Sequence, residues 1–438
     1  MIRNRITEQS QKIFEAKRRY TPGGINSFTR STQPPLIFTR AQGAYLYDAD
    51  GNRYIDYHAA FGPTILGHCH PAVQQAVIEA MARIDLVGIG TTELELDLAA
   101  KIAEHVPSAE MVQLCNTGTE ATYNAVRLAR AVTGRKKLLK FQGCFHGSHD
   151  YLCMNIISPA ERLGKIDPGS AGMLPESLAH TLVAEFNNLA EVESVLEREG
   201  ENIAAIILEP IAHNIGCVVA RQDFLEGLRR IADARGIILI FDEVITGFRH
   251  DLGGYQALCG VTPDLTTLGK SMANGFPCAA LCGKRRLMER FSTAGGDVIF
   301  AGTYNGNPTG TAAALATIAQ LENPAVYKHI FGLGEEMRQA VRDIIAELGI
   351  QAFVAGFGSV FVIYFMDPPA NSYTDLLRNN SEMDKRFRQQ LIESGIIVNP
   401  FPLKRGHISA SHTEADIAET LEAIRASLAK TQQGAARA

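Results

Sequence analysis

No apolar run in this 438-residue chain approaches the roughly 18 residues that a membrane span needs, so no transmembrane segment is expected. Neither sign of charge dominates. With 42 Lys and Arg against 47 Asp and Glu, the net charge of −5 points to no nucleic acid and no anionic membrane surface. The first residues, MIRNRITEQSQKIFEAKRRY, have no apolar core or small-residue cleavage site; they read as an amphipathic helix rather than a secretory signal. Eight cysteines (69, 115, 144, 153, 217, 259, 278 and 282) lack the spacing of a disulfide framework and read as buried, reduced thiols of a cytoplasmic protein. His146, His149 and Asp150, like His68, Cys69 and His70, have no second ligand cluster at a recognised spacing, so no metal is expected. There is no internal repeat. What remains is an ordinary globular composition, 46% hydrophobic, long enough for one large and one small domain sharing a centre.

The order of elements narrows the fold. After the N-terminal helix and the breaker Pro22-Gly23-Gly24, LIFTRAQGAYLYDADGNRYIDYHAAFG alternates apolar and polar residues around Asp50-Gly51, as a hairpin or meander does. Helical spacing follows over Pro71 to Ile84 and Thr92 to Val106. MVQLCN, KKLLKFQG, IAAIILEP and IILIFDEV are then continuous apolar strands separated by amphipathic helices, and Leu265 to Leu268 adds another. That pattern predicts an α/β fold with a mostly parallel central sheet covered by helices on both faces. The last hundred residues return to α+β alternation, ending in TQQGAARA, which is expected to fray. The expected organisation is an N-terminal segment over 1–60 that packs with the small domain, a large domain over 61–320 and a small C-terminal domain over 321–438.

Parallel sheets bind ligands beyond the carboxyl ends of their strands. Four features fall at such ends. Lys270 sits between an apolar strand and a turn of small residues (Ser271, Ala273, Asn274, Gly275); a partly desolvated amine there can attack an aldehyde to form a Schiff base, or else pair with a carboxylate. Asp242 closes the strand IILIFD, where a carboxylate needs a cationic partner: an internal salt bridge, or a protonated pyridine nitrogen. Asn116-Thr117-Gly118-Thr119-Glu120 opens a helix whose free amides and Thr119 hydroxyl suit a phosphate, or form a plain cap; no Gly-Lys-Ser/Thr follows, so it is not a P-loop. Phe145 with His146 offers an aromatic face beside an imidazole. Together these are the parts a pyridoxal phosphate site requires.

Asn116-Thr117-Gly118-Thr119-Glu120-Ala121, Gly143-Cys144-Phe145-His146-Gly147, Asp242-Glu243-Val244-Ile245-Thr246-Gly247-Phe248-Arg249, Thr267-Leu268-Gly269-Lys270 and Gly302-Thr303-Tyr304-Asn305-Gly306-Asn307-Pro308 resemble class III pyridoxal phosphate aminotransferases of fold type I, most of all the glutamate-1-semialdehyde 2,1-aminomutase branch. The resemblance runs from Pro22 to about Gln320 and returns at Ser411-His412-Thr413. It implies that Lys270 is the Schiff-base lysine and proton shuttle, and that Asp242 pairs with the pyridine nitrogen. Val244 and Phe145 would sandwich the ring beside His146, and Asn214 would approach the phenolic oxygen. Gly118 and Thr119 would hold the phosphate with Thr303 of a second subunit, which implies a homodimer with shared sites. Arg30 would grip the substrate carboxylate through its bidentate fork.

Departures from the branch bear on substrate. The aminomutase has tryptophan where this chain has Phe61, usually tyrosine at Phe145, and a Gly/Ser-rich loop in place of CMNIISPAERLGKIDPGSAGMLPE. Where it places a glutamate, this chain has Lys404-Arg405. Two cations for an acid favour a second carboxylate over an amino group. The changes resemble transaminases of the branch that act on β-amino acids or D-phenylglycine. Phe28, Phe61, Phe145 and Phe401 would make the pocket partly apolar. The expected activity is transamination of a carboxylate-bearing α- or β-amino compound with a 2-oxo acid through pyridoxamine phosphate. The alternatives are the aminomutase reaction and, on the same scaffold, amino acid racemisation.

Overall fold

The computed structural model describes residues 6–435. Two compact units emerge: one is Pro71–Tyr327 with Pro369–Leu377, and the other joins the chain up to His70 with Lys328–Pro368 and the chain from Arg378 onward.

The larger unit is built on seven strands: β1 (Met111–Cys115), β2 (Lys137–Phe141), β3 (Thr181–Ala184), β4 (Ile203–Leu208), β5 (Ile238–Asp242), β6 (Leu265–Leu268) and β7 (Ala279–Gly283). Their spatial order is β1-β7-β6-β5-β4-β2-β3. The pairings among β6, β5, β4, β2 and β3 are parallel, while β7 runs antiparallel to both β6 and β1. A loop with a single 3-10 turn, not an α-helix, joins β6 to β7, so the chain doubles back.

Alternation along the strands sets the two faces. Leu138, Ala205, Ile207, Ile240 and Leu265 pack with Ala121, Ala125 and Leu128 of helix α1 (Gly118–Thr133). Phe141 turns to the other face and meets Phe224 of helix α2 (Gln222–Arg235), ring centroids 5.3 Å apart. Helices therefore cover both faces of a mostly parallel sheet, the expected fold class.

In the smaller unit, Phe38–Gln42, Tyr45–Asp48 and Arg53–Asp56 form an antiparallel meander that Ile396–Ile397 joins in parallel from the far end of the chain. Phe353–Phe357, Val360–Tyr364 and Gly406–His407 make a second, three-stranded sheet. The N-terminal helix covers Glu8–Arg18; positions 1–5 of that expectation lie outside the described residues. The expected fraying of the tail is corrected for 431–435, which continue the helix Glu414–Ala435; Ala436 to Ala438 lie outside the described residues. Among the described residues no helix is long and apolar enough to cross a membrane.

Candidate active site

Asp242 is the last residue of β5 and pairs in register with Thr267 of β6. Its carboxylate, 5% exposed, accepts three hydrogen bonds: from the Thr267 hydroxyl at 3.0 Å and the Val244 amide at 3.2 Å on Oδ1, and from His146 on Oδ2 at 2.7 Å. A carboxylate only accepts, so His146 donates through Nδ1. About one lone-pair position of the four on Asp242 is left for a further donor. Nε2 of His146 is buried without a hydrogen-bond partner.

Three residues past the in-register partner of Asp242, Lys270 follows Gly269 in the left-handed region, with φ 45°, and opens the tight turn Lys270–Ala273. It is half-buried. The strand end thus aims the lysine out of the sheet beside the acid's strand.

Helix α1 begins with a capping box: the Thr117 hydroxyl accepts from the Glu120 amide at 3.2 Å, and the Glu120 carboxylate accepts from the amides of Asn116 and Thr117. The amides of Gly118 and Thr119 take no part in it, which leaves first-turn donors for an anion at the positive end of the helix. Gly118 is required by its neighbour, because a Cβ there would stand 2.9 and 3.0 Å from the two methyl carbons of Val244. Gly147 likewise packs on Thr119, whose hydroxyl accepts from the Ser148 amide at 3.3 Å.

Phe145 is 41% exposed although Cys144 and His146 on either side are buried. Its amide is held by Glu209 Oε1 at 2.8 Å, and Glu209 Oε2 also holds the His213 amide at 3.0 Å. Asn214 is tied to the same loop through its amide, which donates to the Gly143 carbonyl at 2.9 Å. An open aromatic face, a buried acid with spare acceptor capacity, free first-turn amides and an adjacent lysine fit a flat, phosphate-bearing pyridine aldehyde. Thr303 is exposed in a loop whose Asn305 Oδ1 accepts from the Asn116 side chain at 3.1 Å, next to the start of α1.

The expected substrate residues lie in the smaller unit. Arg30 is exposed on the turn Phe28–Arg30, where Phe28 meets Phe401 edge to face at 6.2 Å. Phe61 lies on a strained turn: Ala59, Ala60 and Phe61 all have positive φ (48°, 52° and 71°), a conformation the Asp56 carboxylate supports by accepting from the amides of His58 and Ala59. The Phe61 ring contacts His58 at 4.2 Å. Burial pushes the His58 pKa down to about 4, against the pull of Asp56 and helped by the positive charges of Arg405 and Arg30. Both arginines thus act on the same imidazole through their charge. Arg405 is buried and its Nε donates to His407 Nε2 at 3.1 Å. Lys404 is half-buried, with its carbonyl accepting from Arg388 at 2.6 Å.

Thr267, Glu209 and His58 were not foreseen as site residues. Glu209 carried the same signal as Asp242, an acid ending a wholly apolar strand; His58 carried none. Of the side chains weighed as metal ligands, His146 is held by Asp242, His149 meets the Thr122 hydroxyl at 3.2 Å through Nε2 and His68 meets Asp56 at 2.8 Å, while Nδ1 of His70 and of His149 is buried without a hydrogen-bond partner.

Fold and site together define a fold type I enzyme whose cofactor is pyridoxal 5'-phosphate. Residues 27–428 match the model of the class-III aminotransferase family, and the chain belongs to that family. It is similar to the glutamate-1-semialdehyde 2,1-aminomutase of Desulforudis audaxviator (strain MP104C), 42% identical over 419 residues, 95% of this chain and 96% of the relative. Among solved structures, an omega-transaminase from Sphaerobacter thermophilus has a TM-score of 0.91 at 33% identity, covering 97% of this chain and 98% of that one. The β-phenylalanine aminotransferase from Variovorax paradoxus has a TM-score of 0.86 at 31% identity, covering 97% and 94%.

Proposed function

We propose that the protein is a homodimeric transaminase that moves an amino group from a carboxylate-bearing α- or β-amino compound to a 2-oxo acid. What supports this reading is that the charges of Arg30 and Arg405 converge on one residue, His58, which lies on the same turn as Phe61. Two guanidinium groups suit carboxylates and repel the amino group of an amino-aldehyde. When bound, pyridoxal phosphate supplies an aldehyde that captures amines and a ring that takes up electrons from the substrate carbon.

The chain's residues divide the remaining work. Lys270 would hold the cofactor through its aldehyde and, once displaced by substrate, would carry the proton to and from the substrate Cα. Asp242, fixed by Thr267 and His146, keeps a proton on the pyridine nitrogen. Gly118 and Thr119 bind the phosphate, joined by Thr303 of the partner subunit, and Phe145 and Val244 exclude water from the two ring faces. Asn214 orients the phenolic oxygen. Arg30 and Arg405 grip substrate carboxylates beside Phe61, with Lys404 adding positive charge. Exposed Ile299 and Tyr304, on either side of Thr303, support a subunit contact there. All eight thiols are free, as suits a reducing cytoplasm, but against expectation not all are buried: Cys153 and Cys259 are half-buried and Cys69 is exposed.

A second reading, glutamate-1-semialdehyde 2,1-aminomutase, is favoured by the 42% identity to a relative of that name. The test is a panel of α-, β- and ω-amino acids with pyruvate or 2-oxoglutarate, run beside glutamate 1-semialdehyde alone. Turnover of the semialdehyde with no acceptor, and none of the panel, overturns the transaminase reading.

A further inference from the structure

Strand β2 carries a lysine where its neighbours are apolar, and Lys140 is wholly buried. Among the described residues no carboxylate lies within ion-pair reach of it. Its Nζ instead donates to three backbone carbonyls: Cys144 at 3.0 Å, Leu152 at 3.2 Å and, closest of all, Met154. An ammonium has three N–H donors, and all three are used. These carbonyls bracket the segment 144–154, which has no regular structure of its own across Phe145 and His146. A buried charge with no counter-ion is an expensive way to hold a loop, and apolar side chains of similar length would fill the same space. Burial pushes the amine's pKa down to about 8, while Glu209, Cys144 and Cys153 are the titratable groups that face it. What the lysine supplies and an apolar residue does not is direction, since three fixed carbonyls can meet at one point only in one loop conformation.

We propose that Lys140 is a positioning residue for the cofactor ring: by gathering the carbonyls of Cys144, Leu152 and Met154 it fixes the pitch at which Phe145 and His146 are presented. The inference rests on Phe145 and His146 being ring contacts. Other ties hold the segment in the fold, among them the Gly143 amide on the Asn155 carbonyl at 3.0 Å and the Thr122 hydroxyl on the His146 carbonyl at 2.6 Å. Loss of the lysine therefore loosens the segment without unfolding the domain.

The test compares wild type, Lys140→Met, Lys140→Gln and Phe145→Ala, each measured by thermal unfolding, amide hydrogen exchange with and without cofactor, the cofactor's visible absorption band and its release rate. Lys140→Met is expected to keep the melting temperature within a few degrees, to raise exchange across 144–154 even in the cofactor-free protein, to shift the band and to speed release at least about tenfold. Lys140→Gln, with two donors, should fall between. Wild-type exchange, band and release in Lys140→Met overturn the inference, and so does failure of both Lys140 variants to fold, which would make the lysine a requirement of the fold itself. If Phe145→Ala leaves band and release unchanged, the ring-contact reading falls; if it changes them and Lys140→Met does not, only the inference about Lys140 falls.

Discussion

Gly118→Ala puts the cofactor site under a measurable load. The backbone at Gly118 is helical, so alanine meets no conformational barrier and gains up to about 1 kcal/mol in helix propensity. The added Cβ, however, would stand 2.9 and 3.0 Å from the two methyl carbons of Val244, where carbon atoms rest at about 3.5–4.0 Å. Relief of that overlap moves either the start of α1, proposed above to hold the phosphate, or Val244, proposed to face the ring. Overpacking of this size costs about 1–3 kcal/mol. Set against the propensity gain, the net loss of folding stability is about 0–2 kcal/mol if the fold absorbs the whole overlap. The displacement falls on the ligand instead, and about 1–2 kcal/mol corresponds to a five- to thirtyfold weaker hold on the cofactor. Val244→Ala removes both methyl carbons and leaves the Val244 Cβ at 3.5 Å, an ordinary contact. In that background Gly118→Ala should add little, giving a coupling energy of about 1–2 kcal/mol between the two positions. Cofactor release, followed by loss of the visible band after dilution into a trapping amine, reads all four proteins. Equal losses from Gly118→Ala in both backgrounds would refute the steric reasoning.

Asp242→Asn keeps the volume but removes the charge and turns one of the two oxygens that accept from His146, Thr267 and Val244 into a donor, so single-turnover amino transfer should fall on the order of 100-fold or more, about 2.7 kcal/mol, while the phosphate still binds. Arg405→Lys and Arg30→Lys keep charge but lose the planar fork; each should raise KM for its carboxylate about tenfold with little change in kcat, and unchanged KM values for every donor and acceptor would remove both from the substrate site. His412, 1% exposed, accepts from the Ser409 amide through Nδ1 at 3.1 Å, and burial pushes its pKa down to about 4 from 6.5. The unfolded chain therefore binds more protons between those values, so stability is complete above pH 6.5 and is lost as pH falls toward 4, by at most about 3 kcal/mol. His412→Gln should flatten that acid limb in urea titrations; an unchanged slope would show that the ring does not titrate on unfolding.

Local signals carried most of the large unit. The expected strands at 111–115, 137–141, 203–208, 238–242 and 265–268 form because each is a continuous apolar run that only a doubly covered sheet can bury. Thr181–Ala184 is a four-residue edge strand in a stretch of turns, too short for its composition to stand out. Ala279–Gly283 was hidden for another reason: a parallel sheet predicts a helical crossover, and the chain instead returns antiparallel after one tight turn. Phe353–Phe357, half-buried throughout, has no clean alternation to announce it.

The site divides along the same line. A charged residue ending an apolar strand stands out, because burying it without a partner is costly; Lys270 and Asp242 are legible for that reason, and Glu209, after Ile203–Leu208, carries the same signal. Thr267 was invisible because its importance comes from register: only the pairing of β5 with β6 sets its hydroxyl against Asp242. The grouping of Arg30, His58 and Arg405 depends on distant parts of the chain meeting in the smaller unit, where Asp384 and Arg388 clamp the segment before Arg405. Arg388 pairs with Asp384 at 2.5 Å and donates to the carbonyls of Asn399 and Lys404, while Asp384 accepts from the Leu403 amide at 2.9 Å. Arg405 is thus set by a buried ion pair, whereas Arg30 is exposed on a short turn. An adaptable arginine and a fixed one would suit the proposed transaminase, which binds two different carboxylates in alternation, the amino donor and the oxo acid.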